Sequence, residues 1–228
     1  MGGFFIRCIL MVAGLLVLSG CSSNREQESP FAAFYEAYQT LSGKQDLSRS
    51  EAEQLPYAVM RVSLDQSHNV LMPLGQRSGN ELKWYSQDRF GFTTNAGRVT
   101  QVYNVESELS SIKTNALWKR FELQTFALNQ RVKLPIELDF LSLKRFAVKG
   151  TLTIEGVSFE ERVLWGLPVK LLRIEEQIQI PSMNYQYTNM YWKDTKTNFI
   201  WESIQKWGPN VPEIHYQVVK PWRQVAYP

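Results

Sequence analysis

Between Leu172 and Ile180 the character of the chain switches at nearly every position. Leu172, Ile174, Ile178 and Ile180 fall to one side of an extended backbone, and Arg173, Glu175, Gln177 and Gln179 fall to the other. A period of two is the pleat of a half-exposed β-strand and does not fit the 3.6-residue repeat of a helix. The same style extends in both directions. Leu152 and Ile154 precede Gly156, which marks a bulge or bend before Val157 and Phe159. Tyr185–Trp192 and Phe199–Ile204 flank Asp194–Asn198, whose short polar and β-branched residues suit a hairpin loop. That hairpin pairs Tyr187–Lys193 with Phe199–Gln205 and puts Trp192 or Trp201 in the core. Upstream, short strands are expected at Ala58–Leu64, Val70–Leu74, Leu82–Ser86, Phe90–Thr94 and Arg98–Val105, with turns at Asp65–Asn69 and at Asn95-Ala96-Gly97. From Ser107 to Asn129 the alternation weakens, and Leu117, Phe121 and Leu123 suit a helix as well as an irregular connection. Helical signals are nearly absent after residue 130. The pattern predicts an all-β fold, mainly antiparallel, built as a curved sheet, open barrel or sandwich, with a short helical N-terminus.

Two helices are expected ahead of the strands. Ser29 followed by Pro30 has the form of an N-cap with proline at the first helical position; Phe31, Phe34, Tyr35, Tyr38 and Leu41 then recur at helical spacing, and Gly43 ends the run. This aromatic face could lie on a membrane surface, but no cationic face opposes it, which favours packing against the domain. Ser50 with Glu53 three residues later reads as a capping box, closed by Pro56.

The first twenty residues state an address. A single cation at Arg7, an apolar run from Cys8 to Val17 and the small residues Ser19 and Gly20 form an export signal, too short to span a bilayer. Leu18-Ser19-Gly20-Cys21 resembles the lipobox of bacterial lipoproteins. This implies cleavage before Cys21, a diacylglycerol thioether on its sulfur and a fatty amide on the new N-terminus. Ser22 and Ser23 follow, with no aspartate. By resemblance to the bacterial sorting pattern, they direct the protein to the outer membrane rather than the inner one. Ser22–Ser29 holds no aliphatic or aromatic residue and should be a tether. The expected layout is therefore a signal peptide at 1–20, the lipidated cysteine and flexible tether at 21–30, and a single mostly-β periplasmic domain at 31–228.

Composition narrows the chemistry. Cys8 and Cys21 are the only cysteines, one lost with the signal and one taken by lipid, so an apolar core must stabilise the domain without disulfides. Lysine plus arginine number 25 against 22 acidic residues, a balance without the basic stripe of a nucleic-acid partner. Two histidines, His68 and His215, are too few for a closed zinc site of the usual kind, so no metal and no cofactor beyond the covalent lipid on Cys21 is expected. Neither histidine sits in a nucleophile motif. Glu160 with Glu161, and Glu175 with Glu176, tempt a glycosidase reading, but neighbours on a strand point to opposite faces and cannot flank one bond. Glu176 lies on the apolar side of its strand and calls for a buried partner. No residue is assigned a catalytic role. Seven tryptophans, at 84, 118, 165, 192, 201, 207 and 222, either fill the core or stack on sugars; Tyr191, Trp192 and Trp201 are the candidate glycan contacts.

The capping box running into Leu55-Pro56-Tyr57-Ala58, the turn from Asn95 to Arg98 and, most distinctively, Asn189–Asp194 followed by Phe199–Gln205 resemble the YjbF/GfcB family of outer-membrane lipoproteins. The similarity covers nearly the whole mature chain. Asn198 stands where the family pattern has glycine, and the turn should survive because asparagine tolerates a left-handed conformation. The resemblance implies an accessory protein of capsule or exopolysaccharide secretion without established catalytic activity, whose partners are export proteins or the polysaccharide itself. Two other classes stay open: a periplasmic carrier of lipids or lipoproteins, which needs an apolar cavity, and an envelope glycan hydrolase, which needs convergent carboxylates.

Overall fold

The computed structural model describes residues 41, 47–65, 69–86, 90–103, 112–113, 123–140, 143–206 and 212–228. The helix expected at Phe31–Leu41 lies outside these, apart from Leu41, as do Cys21, Ser22, Ser23 and His68.

Helix α1 (Arg49–Gln54) carries a capping box, but two residues earlier than expected. Ser48 is the N-cap: its hydroxyl accepts from the Glu51 N–H at 3.3 Å, and the Glu51 carboxylate accepts from the Ser48 N–H at 2.9 Å. Ser50 and Glu53 have the same spacing. The register is decided by burial, since Leu47 before the cap and Ala52 at the fourth helical position both enter one apolar cluster, as in a hydrophobic staple. Leu55 is extended, as the residue before Pro56 must be, and ends the helix.

Twelve antiparallel strands follow among the described residues: β1 (Val59–Leu64), β2 (Val70–Ser78), β3 (Glu81–Tyr85), β4 (Gly91–Asn95), β5 (Arg98–Tyr103), β6 (Ile112–Lys113), β7 (Arg131–Phe140), β8 (Arg145–Leu164), β9 (Leu167–Ile180), β10 (Tyr185–Asp194), β11 (Phe199–Gln205) and β12 (Ile214–Lys220). They form one sheet in the order β5-β4-β3-β2-β1-β12-β11-β10-β9-β8-β7-β6. All neighbours but one are successive in the chain; the exception is β1 with β12, paired from Val59↔Lys220 to Leu64↔Ile214 in the middle of the sheet. The all-β expectation holds, and of its three forms the curved open sheet is the one observed. The segment 107–129 contributes β6 and a 3-10 turn at Leu123–Thr125 among its described residues.

The curvature brings the β4–β5 turn over strands from the far wing. The Val99 N–H donates to Gln205 Oε1 at 2.9 Å, and the Gly97 carbonyl accepts from Gln205 Nε2 at 2.9 Å and from the Tyr216 hydroxyl at 2.5 Å. Gly97 has φ 93°, and a Cβ there would sit 3.1 Å from Ile200 Cγ1, so both conformation and space call for glycine. Between the wings, Met72, Trp84, Phe92 and Val99 join Ile174, Tyr191, Trp201 and Tyr216 in the main core. A second cluster sets Leu41, Leu47, Ala52 and Leu55 over Val59, Leu71 and Val219. Central strands are thus covered on both faces, which is why β1 and β11 lack clean alternation.

Strands β8 and β9 make a long hairpin turned by Trp165 and Gly166, at φ 52° and 76°. The ladder shifts register between Gly156 and Ser158, where a bulge was expected. Beyond the bulge the ribbon reaches other strands: Trp192 Nε1 donates to Glu160 Oε2 at 2.8 Å, Gln217 Nε2 to the Val163 carbonyl at 3.3 Å, and Trp165 Nε1 to the Val219 carbonyl at 3.2 Å.

Candidate functional site

The expected β10–β11 hairpin forms, paired from Met190↔Ile204 to Asp194↔Phe199, a shorter ladder than expected at its open end, where Tyr187 pairs with Ile178 of β9. Its loop is built by Asp194, whose carboxylate accepts from the Lys196 N–H at 2.9 Å and from the Thr197 N–H at 3.3 Å. Asn198 takes φ 56°, so the departure from glycine is accommodated. The three aromatic residues expected as glycan contacts do not present faces at the surface: Tyr191 and Trp201 are 0% exposed and Trp192 is 2%. Their cover explains the correction. Trp192 lies under the β8–β9 ribbon, with the Arg162 guanidinium 4.2 Å above its ring, and Trp201 packs against Trp165 and Tyr227 at ring separations of 5.2 and 5.5 Å.

The ionisable groups in the sheet are tied to one another. Glu176 is 0% exposed and meets Arg98, 2% exposed, with Oε2 and Nε 2.5 Å apart; Asn189 Nδ2 and the Tyr191 hydroxyl donate to its other oxygen at 3.2 and 3.0 Å. This is the buried partner expected for Glu176, and it fastens β5 to β9 and β10. Burial and the adjacent Glu176 carboxylate push the Tyr191 phenol well above its usual range. Glu202 on β11 is also fully buried. It accepts from Arg162 Nε at 2.9 Å and lies 2.7 Å from His215 Nε2. Burial draws its carboxyl upward, but the hydrogen bonds from His215 and Arg162 outweigh this and hold it below the ordinary carboxylate range. His215 is therefore a histidine satisfied by a fixed anion. A hollow of about 160 Å³ opens beside it, lined by Arg61, Asn69 and Gln217.

Neither carboxylate pair converges. Glu160 accepts from Arg173 at 2.5 Å and from Trp192, while its neighbour Glu161 is exposed; Glu175 bonds the other side of Arg173 at 3.0 Å, and Glu176 turns into the core. Among the described residues, no group of three His, Cys, Asp or Glu side chains is placed to hold a metal, and no helix is long and apolar enough to cross a membrane.

A partly exposed aromatic pair lies elsewhere, at the C-terminal tail that follows β12. Trp222 is half-buried against Trp84 and Phe199, at ring separations of 6.2 and 4.9 Å. Tyr227, also half-buried, lies 5.0 Å from Trp165, with the Arg49 guanidinium 4.7 Å from its own ring. Between them is an open hollow of about 560 Å³, bordered by Glu53, Lys220, Trp222, Arg223 and Tyr227. Lys220 is held in place by the helix end, its ammonium donating to the carbonyls of Glu53, at 2.9 Å, and Leu55. Sequence reasoning passed over this tail because it has no periodicity; the available signal was an aromatic pair spaced past Pro221, outside any strand.

Comparison with known proteins agrees with this architecture. The chain is 25% identical over 233 residues to the uncharacterized lipoprotein GfcB of Escherichia coli K12, covering 95% of this chain and 99% of that protein. It superposes on the crystal structure of the hypothetical lipoprotein YmcC from Escherichia coli K12 with a TM-score of 0.67 at 20% identity, over 83% of this chain and 95% of that one, which shows a shared fold. The family described as group 4 capsule polysaccharide lipoprotein GfcB, YjbF matches residues 32–219. With its lipobox-like N-terminus, its open antiparallel sheet and a match across nearly all of that sheet, the chain belongs to the YjbF family of capsule lipoproteins.

Proposed function

We propose that this protein is a non-enzymatic lipoprotein, anchored in the outer membrane and facing the periplasm, that assists capsule or exopolysaccharide secretion or assembly through protein or glycan contacts. The observation that carries this reading is the match to a family described by its capsule polysaccharide role, over residues 32–219. The lipid on Cys21 is the anchor. One acyl chain binds a bilayer only marginally, whereas three together hold it for practical purposes permanently. Ser22 and Ser23 direct the lipidated protein to the outer membrane. The arrangement of ionisable groups supports a binding role, because Glu176, Glu202, Glu160 and His215 are each committed to internal partners that fix the sheet.

The test is made in cells. Deleting the gene should reduce surface or released polymer while the chemistry of its repeat unit stays unchanged. Cys21→Ala should abolish labelling by a clickable palmitate analogue and reproduce the deletion, since an accessory protein must be concentrated at the membrane where its partner works. Normal polymer output in a clean deletion would remove the proposed role. Turnover of purified polymer by the protein, lost on changing one carboxylate, would replace it with a hydrolase.

A further inference from the structure

The seat for a glycan is not the hairpin that its aromatic content suggested. We infer that the hollow at the C-terminal tail binds a segment of anionic polysaccharide, with Trp222 stacking on a sugar ring, Tyr227 walling the far side and Lys220 and Arg223 facing the acidic groups. This rests on the reading of the protein as a polysaccharide-secretion accessory and names the ligand class and the place.

Three features of the hollow converge on that ligand. The first is a fixed aromatic plane. Trp222 is packed on Trp84 and Phe199 yet remains partly exposed at the hollow, while Tyr227, held by Trp165, Trp201 and the Arg49 guanidinium, borders it as a fixed wall. A ring held from behind offers the apolar C–H face of a pyranose a platform that loses little freedom on binding. The second is charge. Of the ionisable groups bordering the hollow, Glu53 is already paired with Arg49 at 2.9 Å, while Arg223 is exposed and Lys220 is positioned by two helix-end carbonyls. The excess is cationic and complements carboxylate-bearing sugars. The third is shape. At about 560 Å³ the hollow falls in the range of natural small-ligand sites, and because it is open a polymer can enter and leave without threading an end.

The experiment uses the full-length lipidated protein in detergent micelles and isothermal titration calorimetry. Its probes are oligogalacturonates, the same oligomers with their carboxylates methyl-esterified, and sialic acid oligomers as a second anionic class. At least one anionic probe should bind saturably, and esterification should weaken galacturonate binding by roughly tenfold or more if that is the one bound. Arg223→Glu should lower affinity for the bound anionic probe by about tenfold, whereas Arg77→Glu, an equal change of charge at an exposed site on β2, should leave it unchanged. Three results would overturn the inference: no binding of either anionic class, equal binding of charged and esterified oligomers, or equal losses from Arg223→Glu and Arg77→Glu. Any of these alongside reduced polymer in the gene deletion would discard the hollow and keep the secretion role; specific binding alongside normal polymer output would do the reverse.

Discussion

Glu176 and Glu202 are both buried carboxylates, yet only one of them was visible in the sequence. Glu176 interrupts an otherwise apolar side of a strand that alternates cleanly, so its position alone called for a partner, and Arg98 supplies it. Glu202 sits in β11, where both faces are covered and burial runs almost without a break across apolar and polar residues alike, so no alternation assigned it to a side. Its partners are Arg162, on the β8–β9 ribbon well upstream, and His215, on the next strand β12. A pH prediction follows from its depressed carboxyl. A native pKa below the unfolded value, near 4.5, stabilises the fold above that value, and the contribution is lost as pH falls through the lower native one. Urea unfolding followed from neutral pH into this acid range should show wild-type stability falling more steeply than that of Glu202→Gln. Parallel acid limbs for the two proteins would show that the Glu202 carboxylate does not carry this dependence.

At the scale of elements, local chemistry was legible wherever one turn or one cap decided the outcome. The β10–β11 hairpin, the Ala96-Gly97 turn and the bulge at Gly156 were all readable from short stretches of chain. Helix α1 was found but misplaced by two residues, because Ser48/Glu51 and Ser50/Glu53 satisfy the same local rule and only the burial of Leu47 and Ala52 separates them. Gly156 has a second reason to be glycine that no local pattern contains. The Ala127 carbonyl occupies the place of its missing side chain, and backbone hydrogen bonds of 2.9 and 3.0 Å lock the connection before β7 to the bulge. Gly156→Ala should therefore cost about 1 to 3 kcal/mol in chemical denaturation, through displacement of backbone rather than of a flexible side chain. A wild-type midpoint in that variant would mean that the connection shifts freely.

For the whole molecule, the fold class was written in the period of two, but the choice among curved sheet, barrel and sandwich was not. That choice depends on which strands become neighbours, and the decisive pair, β1 with β12, joins Val59 to Lys220 across almost the entire domain. The candidate binding hollow was hidden for the same reason, since it exists only where the chain beyond β12 returns to α1 and the core aromatics. Because β1–β12 joins the two wings in the order of the described strands, ending the chain before Ile214 should abolish a single cooperative thermal transition by calorimetry, rather than merely lower its midpoint. A sharp transition in the shortened protein would show that each wing is held by other contacts. The same pairing would govern timing on the proposed route of export. A chain crossing a membrane from its N-terminus delivers β1 well before β12, so β1 waits with an open edge while the strands between them emerge. That interval is the aggregation-exposed stage of the proposed route, and a holding chaperone there should matter more to its yield than to that of a protein whose neighbouring strands all follow one another in the chain.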